Sequence, residues 1–187
     1  MKILVTYALE DERGNIEIPG CSLKFCCTGV GKVSTAINTY EALLKEKPDL
    51  VLNIGTAGTL NHRVGDIMLC SSFLDRDLEK ISGFGVNYML NFSEDLDSLG
   101  FFKDYKKDGV VSTGDTFLMS QEESGKEADV FDMEAFAGAM VCKKIEVPFL
   151  SVKYVTDIIG QNSIRHWEEK LQEARDGLVI FLGNLQR

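Results

Sequence analysis

The chain has 187 residues, a formal net charge of −9 at pH 7 and a hydrophobic fraction of 44%. These values indicate a soluble globular protein in which residues 1–187 form one domain, long enough to bury a substantial core. The excess of acidic side chains argues against a nucleic-acid partner, because binding to phosphates requires a basic surface. A small neutral or cationic ligand fits this charge better.

The amino terminus and the cysteines bear on the compartment in which the protein works. Residues 1–7 contain only a short apolar run, and Glu10, Asp11 and Glu12 follow it closely, which is unlike a secretory signal. No apolar stretch approaches the roughly 18 residues of a membrane-spanning helix. The five cysteines are odd in number and lack metal-ligand spacing. We therefore expect a cytoplasmic protein with reduced thiols, no membrane contact, no metal and no cofactor.

The first half of the chain alternates apolar strands with one long helix. Apolar residues recur at helical spacing after Thr28-Gly-Val-Gly31, and Pro48 ends this pattern. A continuous apolar run leads into Gly55-Thr-Ala-Gly58. The predicted elements are a strand over residues 2–7, a hairpin of residues 16–18 and 22–27 that turns at Pro19-Gly20, a helix that starts within residues 29–33 and ends near residue 45, and strands over residues 49–54 and 66–71.

The second half begins with the least regular segment. Residues 75–108 are charged and contain glycine and asparagine, so we expect either a mobile or an interface-building segment with a short helix. Strands that alternate with helices, several of them apolar throughout, predict an α/β sheet covered by helices on both faces. The elements predicted here are a strand over residues 109–113, a helix over 133–144, a strand over 148–154, and an amphipathic helix over 163–185 with apolar residues at positions 167, 171, 174, 178, 179 and 182.

Three acidic residues stand where a carboxylate is costly unless it is paired or takes part in chemistry. Asp115 follows an apolar strand, Glu134 opens an apolar helix rich in small residues, and Asp157 ends a strand. In α/β sheets, ligands bind at the carboxyl ends of the strands, where these residues lie. Each feature also has a structural explanation: Asp157 as a helix N-cap, Glu134 as a first-turn acid, and residues 10–12 as a solvated turn.

The residue types are compatible with acid–base cleavage of a glycosidic bond, but they are compatible with purely structural roles as well. Thr28-Gly-Val-Gly31 and Gly55-Thr-Ala-Gly58 either let the backbone approach an anion or a flat ligand, or are ordinary tight turns. Two carboxylates beside such loops permit cleavage of a glycosidic or N-glycosidic bond, with one acid donating a proton to the leaving group and the other activating water. Phe117 and Trp167 are either core aromatics or ligand platforms.

Six segments, in the same order along the chain, resemble the 5′-methylthioadenosine/S-adenosylhomocysteine nucleosidases of the nucleoside phosphorylase superfamily. Together they cover most of the chain, and their order is more specific than any one of them. The segments are Ala8-Leu-Glu-Asp-Glu12, Thr28-Gly-Val-Gly-Lys-Val33, Asn53-Ile-Gly-Thr-Ala-Gly58 with Val64-Gly-Asp66, Ser112-Thr-Gly-Asp-Thr-Phe117, Asp132-Met-Glu-Ala135, and Val147-Pro-Phe149 with Thr156-Asp157.

The resemblance implies a three-layer α/β sandwich with a central mixed, partly barrel-like sheet flanked by helices, and hydrolysis of the N-glycosidic bond of an adenine nucleoside. It implies that Glu12 activates the attacking water, that Asp157 is the general acid at purine N7, and that Glu134 binds the ribose hydroxyls. The implied substrate contacts are Phe117 and Leu118 at adenine, Thr56, Gly58 and Met133 at the ribose and base, Leu9, Val30 and Trp167 at the 5′ substituent, Ile81 and Phe84 lent by a homodimer partner, and Lys153 and Thr156 near the catalytic acid.

The chain also departs from the family pattern. It is shorter than the family members by about a helix, chiefly where Arg13-Gly-Asn15 replaces a longer segment after the first strand, and residues 75–108 are compressed. Asp132, Thr56 and Lys153 are not the commonest family choices at their positions. Asp115 drops out of the catalytic set as a residue that stabilises its loop.

Three other functions compete with the nucleosidase reading. A purine nucleoside phosphorylase needs arginines for its phosphate, and Asn53 stands where that branch carries one, while residues 10–12 would repel the anion. A futalosine-type hydrolase would act on a nucleoside with a futalosine-like 5′ substituent, which the sequence leaves open beside methylthio, homocysteinyl and deoxy groups. A non-catalytic nucleoside-binding protein would have no need for Glu12, Glu134 and Asp157 together, although fold alone does not determine function.

Overall fold

Strands and helices alternate along the part of the chain that the structure describes. This structure is a computed structural model, and it describes residues 1–100, 102–121, 128–161 and 163–185, with only the helical backbone for 163–166. The strands are β1 (Lys2–Tyr7), β2 (Ser22–Cys27), β3 (Leu50–Thr59), β4 (Ile67–Asp75), β5 (Met89–Asn91), β6 (Gly109–Thr113), β7 (Val130–Asp132) and β8 (Phe149–Ile158). The helices are α1 (Glu10–Arg13), α2 (Lys32–Glu46), α3 (Arg76–Glu79), α4 (Ser93–Leu99), α5 (Ala135–Ile145) and α6 (Ser163–Gly183), with a single 3-10 turn at Ser82–Phe84.

The strands form one mixed sheet that closes on itself in part. Its order is β2-β1-β3-β7-β6-β4-β5, and β8 pairs with both β3 and β4. Strands β3, β7, β6, β4 and β8 therefore form a ring, from which β1 and β2 extend on one side and β5 on the other. This arrangement confirms the expected mixed, partly barrel-like sheet, with α5 packed against α2 and α6 packed along β8.

Aromatic and small side chains interlock in the core beneath α5. The rings of Phe73 and Phe149 meet edge to face with centroids 5.0 Å apart, and Phe92 lies 6.0 Å from each of them. A Cβ on Gly138 would stand 3.1 Å from the Phe149 ring, so a larger residue would push α5 away from the sheet. The small residues of α5 thus serve close helix–sheet packing, which stabilises the wall that carries Glu134.

The predicted amino-terminal hairpin was wrong. Residues 16–18 form no strand, and β2 runs parallel to β1, with Lys2 opposite Ser22 and Tyr7 opposite Cys27. Ile16 and Ile18 are buried in a core cluster that includes Leu182 near the end of α6. Their alternation with Glu17 therefore reflects packing under the carboxyl-terminal helix rather than a half-buried strand.

Three strands extend further than their sequence patterns predicted, which changes the position of the candidate residues. Strand β3 continues to Thr59, so that Gly55 and Gly58 lie within it, and β8 continues past Asp157. The N-cap explanation of Asp157 is therefore wrong.

In the described ranges, no helix combines the length and the apolar character that crossing a membrane requires.

Candidate active site

A cleft of about 290 Å³ opens beside the ring of strands and collects most of the predicted site residues. This volume is near the lower end of the roughly 300–1,000 Å³ that small-molecule sites occupy. We call it the acid-lined cleft because four buried acidic residues belong to its lining, Glu12, Asp132, Glu134 and Asp157. The predicted residues in its lining are Leu9, Glu12, Val30, Thr56, Gly58, Phe117, Leu118, Met133, Glu134, Asp157 and Trp167.

Glu12 is the one buried acid of the three at the end of β1. Glu10 and Asp11 are exposed on α1, whereas α1 turns Glu12 inward. Its Oε2 accepts hydrogen bonds from the backbone N–H groups of Ala8 (3.2 Å) and Leu9 (3.1 Å). Its Oε1 accepts the Thr56 N–H and the Thr56 hydroxyl, both at 3.0 Å. Four donors thus hold the carboxylate in one orientation.

Glu134 faces the glycine turn that precedes α2. Glu134 is the N-cap residue of α5, but its side chain accepts no capping hydrogen bond from that helix. Instead, Oε1 accepts the Gly31 N–H at 2.9 Å and Oε2 accepts the Met133 N–H at 3.2 Å. Burial raises the pKa of Glu134 to about 7, the charge of Asp132 adds to this shift, and Lys153 opposes it. The turn that resembled an anion cradle therefore holds a carboxylate of the protein itself.

Asp157 is held inside β8 by its neighbours in the sheet. The residue is 2% exposed, and its Oδ1 accepts the Thr156 hydroxyl at 2.8 Å. Asp157 pairs with Gly58 across β3 and β8, next to a register shift at Ala57. This bulge changes the local direction of the strand, as bulges beside active sites commonly do.

The two glycines of Gly55-Thr-Ala-Gly58 make room for the two carboxylates. A Cβ on Gly55 would lie 3.0 Å from Glu12 Oε1, and a Cβ on Gly58 would lie 2.8 Å from Asp157 Oδ2. Any larger side chain would displace one of these acids. The backbone of this motif thus lies directly against both carboxylates. This close approach requires glycine, which a tight turn alone would not explain.

A fully buried ion pair lies behind the wall of the cleft. Lys153 Nζ contacts Asp132 Oδ2 at 2.9 Å, and both side chains are almost inaccessible. Burial lowers the pKa of Lys153, but attraction to Asp132, Glu134 and Glu12 outweighs it and leaves the pKa above the ordinary lysine value. Asp132 also accepts the Thr113 hydroxyl (2.6 Å) and the Ala135 N–H (2.9 Å), so its charge is well compensated.

Four predicted site residues lie outside the lining. Lys153 stands behind the wall, and Thr156 contacts the lining through its hydroxyl group, which donates to Asp157 Oδ1 at 2.8 Å and lies 3.3 Å from the Ala57 carbonyl oxygen. Ile81 and Phe84 are on the surface, 44% and 87% exposed. The structure therefore places the first two as supports of site residues, while a contact of the last two with a ligand would need a second subunit.

Several residues that line the cleft were not predicted from the sequence. The most informative is Arg76, which is buried directly after β4 and donates to the carbonyl groups of Ser112 (2.9 Å) and Asp132 (3.0 Å). The predicted strand ended at residue 71, so only the structure shows that Arg76 lies at the carboxyl end of β4, where ligands bind in such sheets. The others are Ala8, Ala57, Thr116, Phe131, Asp132 and Ile159.

Asp115 lies outside the cleft, in a charged cluster at the start of α2. Lys32 Nζ contacts Asp75 (3.1 Å), Asp77 (2.8 Å) and Asp115 (3.3 Å). The Asp115 side chain is 60% exposed, and its N–H donates to Asp77 at 3.0 Å. These contacts stabilise the loop and tie α3 to the start of α2.

Glu134 should make the protein less stable as the pH rises from about 5 to about 8. Its pKa in the folded protein is about 7, whereas a carboxyl group in an unfolded chain titrates near 4.3. Between these values the folded state holds a proton that the unfolded state has lost, so raising the pH costs stability, on the order of 3 kcal/mol in total. Urea unfolding of the wild type and of Glu134→Gln at both pH values measures this contribution. An identical pH dependence in the two proteins would contradict it.

Comparison with known proteins places the chain in one family. The sequence model of the Phosphorylase superfamily matches residues 13–180. The chain is 30% identical over 171 residues to the 5′-methylthioadenosine/S-adenosylhomocysteine nucleosidase of Bacillus licheniformis, with 79% of this chain and 73% of that protein covered.

Solved structures agree on the fold. The nucleosidase of the same name from Colwellia psychrerythraea, in complex with adenine, gives a TM-score of 0.80 at 22% identity over 97% of this chain and 93% of that chain. A futalosine hydrolase mutant of Helicobacter pylori gives 0.81 at 20% identity over 97% and 96%. The match to the sequence model, with a fold that agrees, shows that the protein belongs to the phosphorylase superfamily. Within it, the chain belongs to the 5′-methylthioadenosine/S-adenosylhomocysteine nucleosidase family.

Proposed function

We propose that this protein hydrolyses the N-glycosidic bond of an adenine nucleoside with a 5′ substituent, such as 5′-methylthioadenosine or S-adenosylhomocysteine. The products are adenine and the ribose derivative. One observation carries the proposal: Glu12, Glu134 and Asp157, from three separate elements, present buried carboxylates to one cleft. Burying three acids together is costly and is typical of a site whose chemistry uses them.

Asp157 is the general acid in this proposal. Purine leaves the ribose as a good leaving group once its N7 is protonated, and a buried acid supplies that proton. Thr156 donates to Oδ1 and holds the carboxyl group in place, while Oδ2 lies over Gly58 on the floor of the cleft. Because residue 58 is a glycine, the Asp157 carboxyl group fits at this place without displacement.

Glu12 and Glu134 act on the ribose side. Glu12 removes a proton from the attacking water, and its four hydrogen bonds fix the direction from which it does so. Glu134 accepts hydrogen bonds from the ribose hydroxyls. Its negative charge, once ionised, also stabilises the positive charge that develops on the sugar in the transition state.

The remaining lining divides into two apolar regions. Leu118, Phe131 and Ile159 belong to one apolar cluster beside the acid and suit a purine ring, with Phe117 as the stacking partner. Leu9, Val30 and Trp167 also line the cleft and suit an apolar 5′ substituent. Thr56, Gly58 and Met133 lie between them, where the ribose would sit.

The contacts of Asn53 and Arg76 support water rather than phosphate as the nucleophile. Asn53 is buried in β3, where its amide oxygen accepts the Ser151 hydroxyl at 2.8 Å. The Arg76 guanidinium donates to three backbone carbonyl groups, those of Ser112, Thr116 and Asp132. These groups are committed within the protein, so they provide a poor site for a phosphate dianion.

Adenine release from 5′-methylthioadenosine, assayed with and without phosphate, tests the proposal. We expect release at the same rate in both conditions. Strict dependence on phosphate would support a phosphorylase instead, and no release from any purine nucleoside would support a non-catalytic binding protein. A panel of nucleosides that differ in the 5′ substituent, with futalosine included, identifies the substrate. A marked preference for futalosine would mean that futalosine, and not an adenine nucleoside, is the substrate.

We also propose that the protein is one nucleoside phosphorylase-like domain in the cytoplasm and forms a homodimer. All five cysteines are free thiols, which suits a reducing compartment. The dimer proposal depends on an apolar face of α2 at helical spacing. Its members are Val33, Ile37, Tyr40 and Leu44, each more than two fifths exposed.

This face borders the acid-lined cleft, which argues for a second copy as its occupant. Val30 is half exposed, lines the cleft and precedes α2 directly. Lys32 ties α3 to the start of α2, and Ile81 and Phe84 follow α3. In a symmetric dimer built on this face, we propose that the partner's Ile81 and Phe84 reach the mouth of the cleft.

Ile37→Glu should dissociate the dimer. A charge at the centre of an apolar interface removes a principal contact, and we expect the dissociation constant to rise about thirtyfold or more, the effect of losing ~2 kcal/mol. Size-exclusion chromatography with light scattering over a dilution series measures it. Ile180→Glu is the matched control, because Ile180 is also an isoleucine more than half exposed, but on α6. An active wild-type monomer would refute the dimer.

A further inference from the structure

Trp167 makes a polar contact that an apolar pocket wall would not need. Its indole Nε1–H donates to Thr56 Oγ1 at 2.8 Å, although the two residues are 111 positions apart. Thr56 Oγ1 lies 3.0 Å from Glu12 Oε1. An indole N–H can only donate, so the hydroxyl accepts it and directs its own proton to the carboxylate. The result is a hydrogen-bond chain of defined direction, Trp167–Thr56–Glu12.

We propose that Trp167 is a positioning residue for Glu12 and acts through Thr56. This inference rests on the proposed function, since it assigns a support to the group that activates water. Hydrogen bonds in a chain polarise one another, so the indole strengthens the bond from the hydroxyl to Glu12. It also restricts the Thr56 hydroxyl to a single direction, which orients the lone pairs of Oε1.

The chain of contacts links helix α6 to the water-activating site. Trp167 lies near the start of α6, Thr56 lies in β3, and Glu12 lies in α1, the short helix after β1. Helix α6 also packs against α1, the helix that carries Glu12. A phenylalanine at position 167 would preserve an aromatic wall but could not donate to Thr56. The nitrogen atom, and not the ring surface, therefore carries the positioning role.

Trp167→Phe tests this role through kinetics. We expect kcat for adenine release to fall about tenfold, the effect of one lost hydrogen bond in the transition state, with KM changed less than about threefold. The acidic limb of the kcat/KM profile should move to higher pH, because a carboxylate that loses hydrogen bonding accepts a proton more readily. Wild-type kcat together with an unchanged acidic limb would overturn the proposal.

Variants of Thr56 and Val30 separate positioning from pocket shape. Thr56→Ser keeps the hydroxyl and should retain most of kcat, whereas Thr56→Val should lower it as Trp167→Phe does. The double variant Trp167→Phe, Thr56→Val should be no slower than Thr56→Val alone, because both changes break one chain. Val30→Ala alters the same cleft without touching Glu12, so it should raise KM and leave the acidic limb in place. Additive losses of kcat in the double variant would contradict the hydrogen-bond chain.

A spectroscopic measurement keeps the inference testable if the proposed activity fails. Trp167 is the single tryptophan of the protein, so its fluorescence reports this site alone. Thr56→Val should change the emission spectrum of the ligand-free protein, and Thr56→Ser should not. Identical spectra for wild type, Thr56→Ser and Thr56→Val would overturn the hydrogen-bond chain. Absence of adenine release by the wild type would refute the proposed function and leave this spectral test unaffected.

Discussion

Replacing Asp157 by asparagine should lower kcat by about a hundredfold to ten-thousandfold, the usual contribution of a general acid. Asparagine has the same shape, fits over Gly58, and can still accept the Thr156 hydroxyl through its amide oxygen. It cannot deliver a proton to the purine. Substrate binding should therefore change little, so that the loss falls on kcat and not on KM.

Asp115→Asn is the matched control for this experiment. It makes the same chemical change on an acid that the sequence also singles out, but at a largely exposed position outside the cleft. We expect its kcat to stay within about twofold of the wild type, since surface changes of this kind have small effects. Adenine release measures turnover, and Trp167 fluorescence during titration with substrate measures binding. Asp157→Asn with near-normal kcat would show that another group protonates the purine.

Replacing Lys153 by methionine should destabilise the protein by about 3–5 kcal/mol, the cost of removing one partner of a buried ion pair. Methionine fills a similar volume, but Asp132 then remains buried without its counter-ion, close to Glu134. Urea unfolding at constant pH measures the change through the midpoint, provided that the slope is unchanged. The adjacent cleft should lose activity as well, because the two acids repel each other more strongly.

Two further variants separate charge from packing at this pair. Lys153→Arg keeps the positive charge and should cost much less than Lys153→Met. Adding Asp132→Asn to Lys153→Met removes the orphaned charge while it retains an acceptor for the Ala135 N–H, so it should restore part of the lost stability. A double variant less stable than Lys153→Met alone would mean that the pair acts through packing.

The elements of the fold were predictable where their patterns are local. Helix α2 follows from its apolar spacing and from Pro48, and strand β6 has the bounds that its apolar run predicts. The hairpin prediction was wrong because pairing of β2 is decided by β1 and by the packing of Ile16 and Ile18. Strand β7 was missed, since three residues give too short a pattern to recognise.

The candidate site, like the fold, was predictable from the sequence only in part. The sequence singled out Glu134 and Asp157 as costly acids, and the family resemblance added Glu12 and set Asp115 aside; the structure gathers the first three in one cleft. The assigned roles stay predictions. Arg76 was missed because nothing in its local sequence marks it, although it follows the end of β4.

By itself, the sequence determined the chemical groups, the order of the motifs and the alternation of strands with helices, since these depend on residue type and near neighbours. Only the tertiary structure decided which groups meet. The Lys153–Asp132 pair, the contact of Gly31 with Glu134, and the bond from Trp167 to Thr56 join residues on different elements. Such contacts depend on strand register and helix packing, whose free energy is spread over the whole core and leaves no local signature.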